Sequence, residues 1–102
     1  MTESEKRSQA WIGDAVLALY ARRWILDQPD IPPKERAAVF TRMTSNRFLS
    51  ALGEPTAMEA EIGAIYEREG IESAFRHIES ALLPLFARQR SKAKQPGNFR
   101  RK

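Results

Sequence analysis

The chain has 102 residues, 17 of them Lys or Arg and 13 Asp or Glu, for a net charge of +4. At 42% hydrophobic and 29% charged residues, it has the make-up of one small globular domain rather than of a disordered chain. The absence of cysteine excludes disulfides, thiolate metal sites and thiol catalysis. Charges interrupt every apolar segment before it reaches the ~20 residues of a membrane span. Met1 to Arg7 lacks the basic-then-apolar order of a secretory signal, so a cytoplasmic protein is expected.

A first helix is expected from about Ser4 or Ser8 to Leu26, stopped by the turn-rich run of Asp27, Pro29, Asp30, Pro32 and Pro33. Pro33 suits the first turn of a second helix, from Lys34 to about Met43, striped by Val39, Phe40 and Met43. Thr44 and Ser45 offer a cap for a short helix from Asn46 to Leu52, which Gly53 ends. A fourth helix is expected from Ala57 to Glu69, bounded by Gly70. The last starts near Glu72, with Ala74, Phe75, Ile78, Leu82, Leu85 and Phe86 at helical spacing and a kink at Pro84. No alternating strand pattern competes, so the expected fold is all-α with about five helices.

Of the 17 basic residues, seven (Arg88, Arg90, Lys92, Lys94, Arg100, Arg101 and Lys102) lie after Phe86 without an acid among them, leaving ten against 13 acidic residues before. Residues 1–90 are therefore expected to form the domain and 91–102 a basic, disordered tail. Such a tail suits a polyanionic partner or serves as a solubilising end.

One stretch stands apart. Ala10 to Tyr20 is apolar around the whole helical wheel except for Asp14, which shares a face with Ala10, Leu17, Ala18, Ala21 and Ile25. The opposite face holds Ile12, Val16 and Leu19. A helix apolar all round is a buried helix, which puts Asp14 at or near an interior. A carboxylate there needs a partner, a proton or a metal. On the fourth helix, Glu59 shares its inner face with Ile62, Gly63 and Tyr66. Glycine inside a helix costs ~1 kcal/mol relative to alanine, so Gly13 beside Asp14 and Gly63 one turn after Glu59 imply close approach of two backbones. That approach would bring Asp14 and Glu59 towards one point, a pairing that favours a hard divalent cation, Mg²⁺ or Mn²⁺. Spacing leaves a second assignment open, with Asp14 paired to Arg42 or Arg47 and Glu59 held in an N-terminal turn by the helix dipole. Trp11 and Trp24 read as core or dimer-interface anchors, and Tyr66 as a core tyrosine.

These residues resemble a known family. Trp11-Ile12-Gly13-Asp14-Ala15-Val16-Leu17 is similar to the signature helix of ribonuclease III nuclease domains, and Glu59-Ala60-Glu61-Ile62-Gly63-Ala64-Ile65-Tyr66 to the family's second acidic helix. Arg42-Met43-Thr44-Ser45-Asn46-Arg47-Phe48-Leu49 resembles the arginine…serine-asparagine…leucine pair between them, and Leu83-Pro84-Leu85 has a counterpart in the last helix. The likeness runs in order from about Gln9 to Phe86. At four positions where full-length members carry further acids, this chain has Arg7, Ala10, Arg47 and Thr56. The surviving pair and the run Thr56-Ala57-Met58-Glu59 resemble the compact Mini-III branch, which has no double-stranded-RNA-binding domain. The loop and helix that precede the second acidic helix in that branch shrink here to Gly53-Glu54-Pro55.

The resemblance implies a ribonuclease III-like homodimer that takes double-stranded or structured RNA, with ribosomal RNA maturation as one role. Asp14 and Glu59 would be both the catalytic residues and the ligands of Mg²⁺ (or Mn²⁺), activating water against a phosphodiester and leaving a 5′-phosphate and a 3′-hydroxyl. Asn46, Arg47, Lys92, Lys94, Arg100, Arg101 and Lys102 are the expected RNA contacts. The competing expectations are a catalytically silent relative that binds RNA or a ribosomal particle, and a helical protein-binding module.

Overall fold

A computed structural model describes residues 1–93, and all regular structure in them is helical. The helices are α1 (Glu3–Leu26), α2 (Arg36–Thr44), α3 (Asn46–Ser50), α4 (Pro55–Glu69), α5 (Ile71–Ala81) and α6 (Leu83–Ala93). A 3-10 turn over Pro33–Glu35 leads into α2, where a second α-helix was expected to begin. None of these helices is long and apolar enough to cross a membrane.

The long first helix starts at a reciprocal cap. Glu5 donates its N–H to Thr2 Oγ1 at 3.1 Å, while the Thr2 N–H reaches back to Glu5 Oε1 at 2.7 Å, satisfying two end donors at once. The α1 helix buries Val16, Leu17, Tyr20, Ala21 and Ile25 and packs most extensively on α4. Around that pair, Ile62 of α4, Ala74 and Ile78 of α5 and Leu49 of α3 are fully enclosed. The short α3 is capped by Ser45, whose Oγ accepts the Phe48 N–H at 3.0 Å.

Between α4 and α5 the chain turns on one residue. Gly70 has φ 96°, a region open mainly to glycine. Its N–H closes α4 on the Tyr66 carbonyl, and its own carbonyl accepts from Ala74 in the first turn of α5.

Where a single kinked helix was expected from Glu72 onward, the chain forms two. The break falls at Leu82, and Pro84 becomes the second residue of α6. In a first turn the N–H that proline lacks has no intrahelical partner to lose, so proline starts this helix rather than bending it. Phe86 fastens α6 to the body, meeting Trp24 of α1 edge-on at 5.8 Å between centroids and Phe48 of α3 at 5.7 Å. Arg90 adds an ion pair to Asp30 at 2.8 Å. The helix continues through residues 91–93, past the expected domain boundary at 90. The rest of the expected tail, with Lys94, Arg100, Arg101 and Lys102, lies outside the described residues.

The expectation of a first helix buried all round is corrected. Its solvent side leaves Trp11 79% exposed, Leu19 43% and Leu26 61%, with Ile12 also exposed. Trp11 is thus no core anchor within this chain, whereas Trp24 is half-buried against Phe86. Tyr66, expected in the core, is exposed.

Candidate active site

Two glycines bring α1 and α4 together. A β-carbon on Gly13 would overlap the Glu59 carbonyl, and one on Gly63 would overlap the carbonyl of Gln9. The main chains therefore touch where any larger residue would hold them apart, which is the use of helix glycine that outweighs its propensity cost.

This seam sets Asp14 and Glu59 side by side. Glu59 is half-buried, and its side chain faces that of Asp14 at hydrogen-bonding range. Burial pushes the Glu59 carboxyl up from an ordinary 4.5 to about 7, helped by the charge of Asp14, by the hydrogen bond between the two acids and by the charge of Glu54. Two carboxylates this close resist ionising together. The pair holds a proton near neutrality, and a cation would displace it.

Asp14 is exposed rather than interior. It lies about 60° around the helix from Trp11, beside the uncovered apolar stripe rather than beneath it. The alternative pairing with Arg42 or Arg47 is not found, since none of the ion pairs among the described residues includes Asp14. Nor does Glu59 occupy the first turn of α4, which has no acid in it.

Glu54 takes the end of that helix, a role the sequence reading missed. Its carboxylate caps α4, accepting the N–H groups of Thr56 at 3.1 Å and Ala57 at 2.8 Å. Lys6 of α1 sits 3.3 Å from the same carboxylate, tying the two helix starts together beside the pair. The signal was present, because an acid directly before a proline fits an N-cap followed by Pro at the first helical position. Gln9, whose carbonyl lies over Gly63, also carries a buried Oε1 without a hydrogen-bond partner.

The donor set suits a hard cation that keeps most of its water. Mg²⁺ is commonly held by one or two carboxylates, with water filling the remaining positions. No group of three or more His, Cys, Asp or Glu suited to a metal occurs among the described residues, so the pair stands by itself.

The expected RNA contacts fall elsewhere. Asn46 and Arg47 are exposed at the start of α3, and Lys92 is exposed on α6. Arg47 lines a cleft with Arg42, Ser45, Phe48, Ala51 and Gln89. Comparison with protein-family models, with curated proteins and with solved structures gave no match.

Proposed function

We propose that this chain is a Mg²⁺-dependent endoribonuclease of the ribonuclease III type, acting on double-stranded or structured RNA as a homodimer. The observation that carries the reading is the Asp14–Glu59 pair, held by a glycine seam, with Glu59 raised in proton affinity and neither acid in an ion pair among the described residues. A structural acid in a small domain is normally neutralised by Lys or Arg or left in open water. Here two acids are pressed together at a backbone contact, an arrangement that resists double ionisation until a proton or a cation offsets one charge.

Asp14 and Glu59 would hold Mg²⁺ (or Mn²⁺), which when bound supplies the charge that lowers the pKa of water and offsets that of a phosphodiester. The chain's own part is positional. The seam fixes the spacing of the carboxylates, Lys6 holds Glu54 at the cap, and Glu59 would have to be without its proton to serve as a ligand. Hydrolysis with 5′-phosphate and 3′-hydroxyl products follows the ribonuclease III resemblance, which implies ribosomal or other structured RNA as the substrate class. The uncovered stripe of Trp11, Ile12, Leu19 and Leu26 supports a homodimer, since a two-fold contact buries the same apolar face on both copies.

The deciding experiment is cleavage of labelled double-stranded RNA with Mg²⁺ or Mn²⁺ against chelator, wild type beside Glu59→Gln. Metal-dependent cutting that the variant loses supports the reading. Binding without cutting moves it to a silent RNA- or ribosome-binding relative, a second reading favoured because no group of three or more side chains suited to a metal occurs among the described residues.

A further inference from the structure

We propose that the surface where α6 meets the α2–α3 turn is a phosphate-binding groove that grips the backbone of structured RNA through Arg42, Arg47 and Arg88. The inference rests on the RNA reading above and assigns it a docking face.

Three hollows meet on this surface. One, of about 480 Å³, is the cleft lined by Arg42, Ser45, Arg47, Phe48, Ala51 and Gln89. A second, of about 580 Å³, lies along α6 between Leu85, Arg88, Gln89, Ser91 and Lys92. The third, of about 290 Å³, shares Arg42 and Gln89 and reaches Asp30, Glu35 and Arg90. Gln89 borders all three, so they adjoin and together make up the furrow.

Charge is divided along it. The third hollow is balanced, because Arg90 is paired with Asp30 and Glu35 stands nearby. Among the described residues, the other two have no acidic lining. Arg42, Arg47 and Arg88 are exposed and enter none of the ion pairs among the described residues. The segments that build the furrow explain this, since no acid occurs from Arg36 to Gly53 or from Ser80 to Lys102.

The opposite balance holds on α4, where Glu59, Glu61, Glu67 and Glu69 stand against Arg68 alone. Of these two surfaces, the furrow is the one that suits a phosphate backbone without a bound cation. Guanidinium groups match phosphate oxygens in a two-pronged fashion, and the Gln89 amide, which borders both basic hollows, adds a neutral donor. Phe48 and Phe86 lock α3 to α6 beneath the furrow, so its two walls hold their spacing. An RNA duplex is recognised mostly by shape and phosphate, which guanidinium groups can grip without base contacts.

The test is fluorescence anisotropy of a labelled RNA duplex over a salt series in EDTA, using the full chain. Wild type is compared with Arg42→Gln/Arg47→Gln and with a control on another face, Arg68→Gln/Arg76→Gln. The groove predicts that the first variant lowers the slope of log Kd against log salt by roughly one to two, while the control matches wild type. Parallel slopes for wild type and the first variant, or no binding by wild type at low salt, overturn the proposal. So does competition by polyglutamate as strong as competition by unlabelled duplex, which would point to an acidic protein. Circular dichroism melting checks the fold, and if the double variant melts early, Arg88→Gln carries the same slope test. Cleavage of the same duplex in Mg²⁺ separates the two readings. Cutting with parallel slopes removes the groove and keeps the nuclease, and a lost slope without cutting keeps the groove and removes the nuclease.

Discussion

Gly13 of α1 lies directly against the main-chain carbonyl of Glu59 on α4, so the backbone of one proposed ligand rests on the residue preceding the other. The carboxylate spacing is thereby set by main-chain contact, which side-chain repacking cannot easily adjust. A β-carbon at Gly13 has no flexible side chain to push aside. Gly13→Ala is expected to lower the unfolding free energy by about 2–3 kcal/mol or more, the upper part of the range for overpacking a tight interior. Urea denaturation measures it. Because Gly63→Ala wedges the same seam, the double variant is expected to cost less than the sum of the two singles.

Glu59 predicts a pH dependence with a definite sign. Its folded value of about 7 lies above the ordinary 4.5, so between these values the folded chain holds a proton that the unfolded chain has released. Stability without metal should therefore be greatest below about pH 4.5, as far as this group is concerned, and fall as pH rises to about 7. Melting temperature against pH in EDTA tests this, and Glu59→Gln should flatten the curve across that window. An equal decline in the variant would place the dependence on another group.

Metal should reverse the loss. At pH 8, adding Mg²⁺ is expected to raise the melting temperature of wild type, because an ion that binds only the folded state stabilises it by mass action. Asp14→Asn should melt at or above the wild-type temperature in EDTA, since it relieves the repulsion on Glu59, and should lose both the Mg²⁺ effect and RNA cleavage. If Asp14→Asn instead destabilises the metal-free protein by several kcal/mol, Asp14 belongs to a structural ion pair.

The exposed stripe of α1 bears on assembly. Trp11→Lys or Leu19→Lys should convert a dimer to a monomer with helicity unchanged, read by sedimentation and circular dichroism. Both side chains contribute little to the core of a single chain, so a loss of helicity would show that the fold itself depends on the interface. A wild-type protein that sediments as a monomer at all concentrations would remove the homodimer.

Much of this arrangement was legible in local pattern. The helices followed from apolar spacing and punctuation by Pro, Gly and Ser, and the close approach of α1 and α4 from two glycines placed where helices disfavour them. The exposure of Asp14 was not, because a helix apolar on every side reads alike whether its outer face meets its own core or is left uncovered. Trp11 and Leu19 look the same in either case. Pro84 was ambiguous for a similar reason, since proline marks an interruption but not the side on which the next helix begins. The cap at Glu54 hid in a three-residue connection that looked too short to hold more than a turn. Nothing local tied Lys6 to it, because that pairing exists only once the two helix starts lie side by side.

Gly70 limits how this chain can change in length. The one residue ends α4 and opens α5, so the corner has no slack to absorb an insertion or a deletion. A single added residue would rotate α5 by about 100° about its axis, moving Ala74 and Ile78 off their buried positions and putting Ser73 and His77 in their places. Homologous chains that keep this core should therefore vary in length at the stretch between α1 and α2, and keep the α4–α5 corner at one glycine.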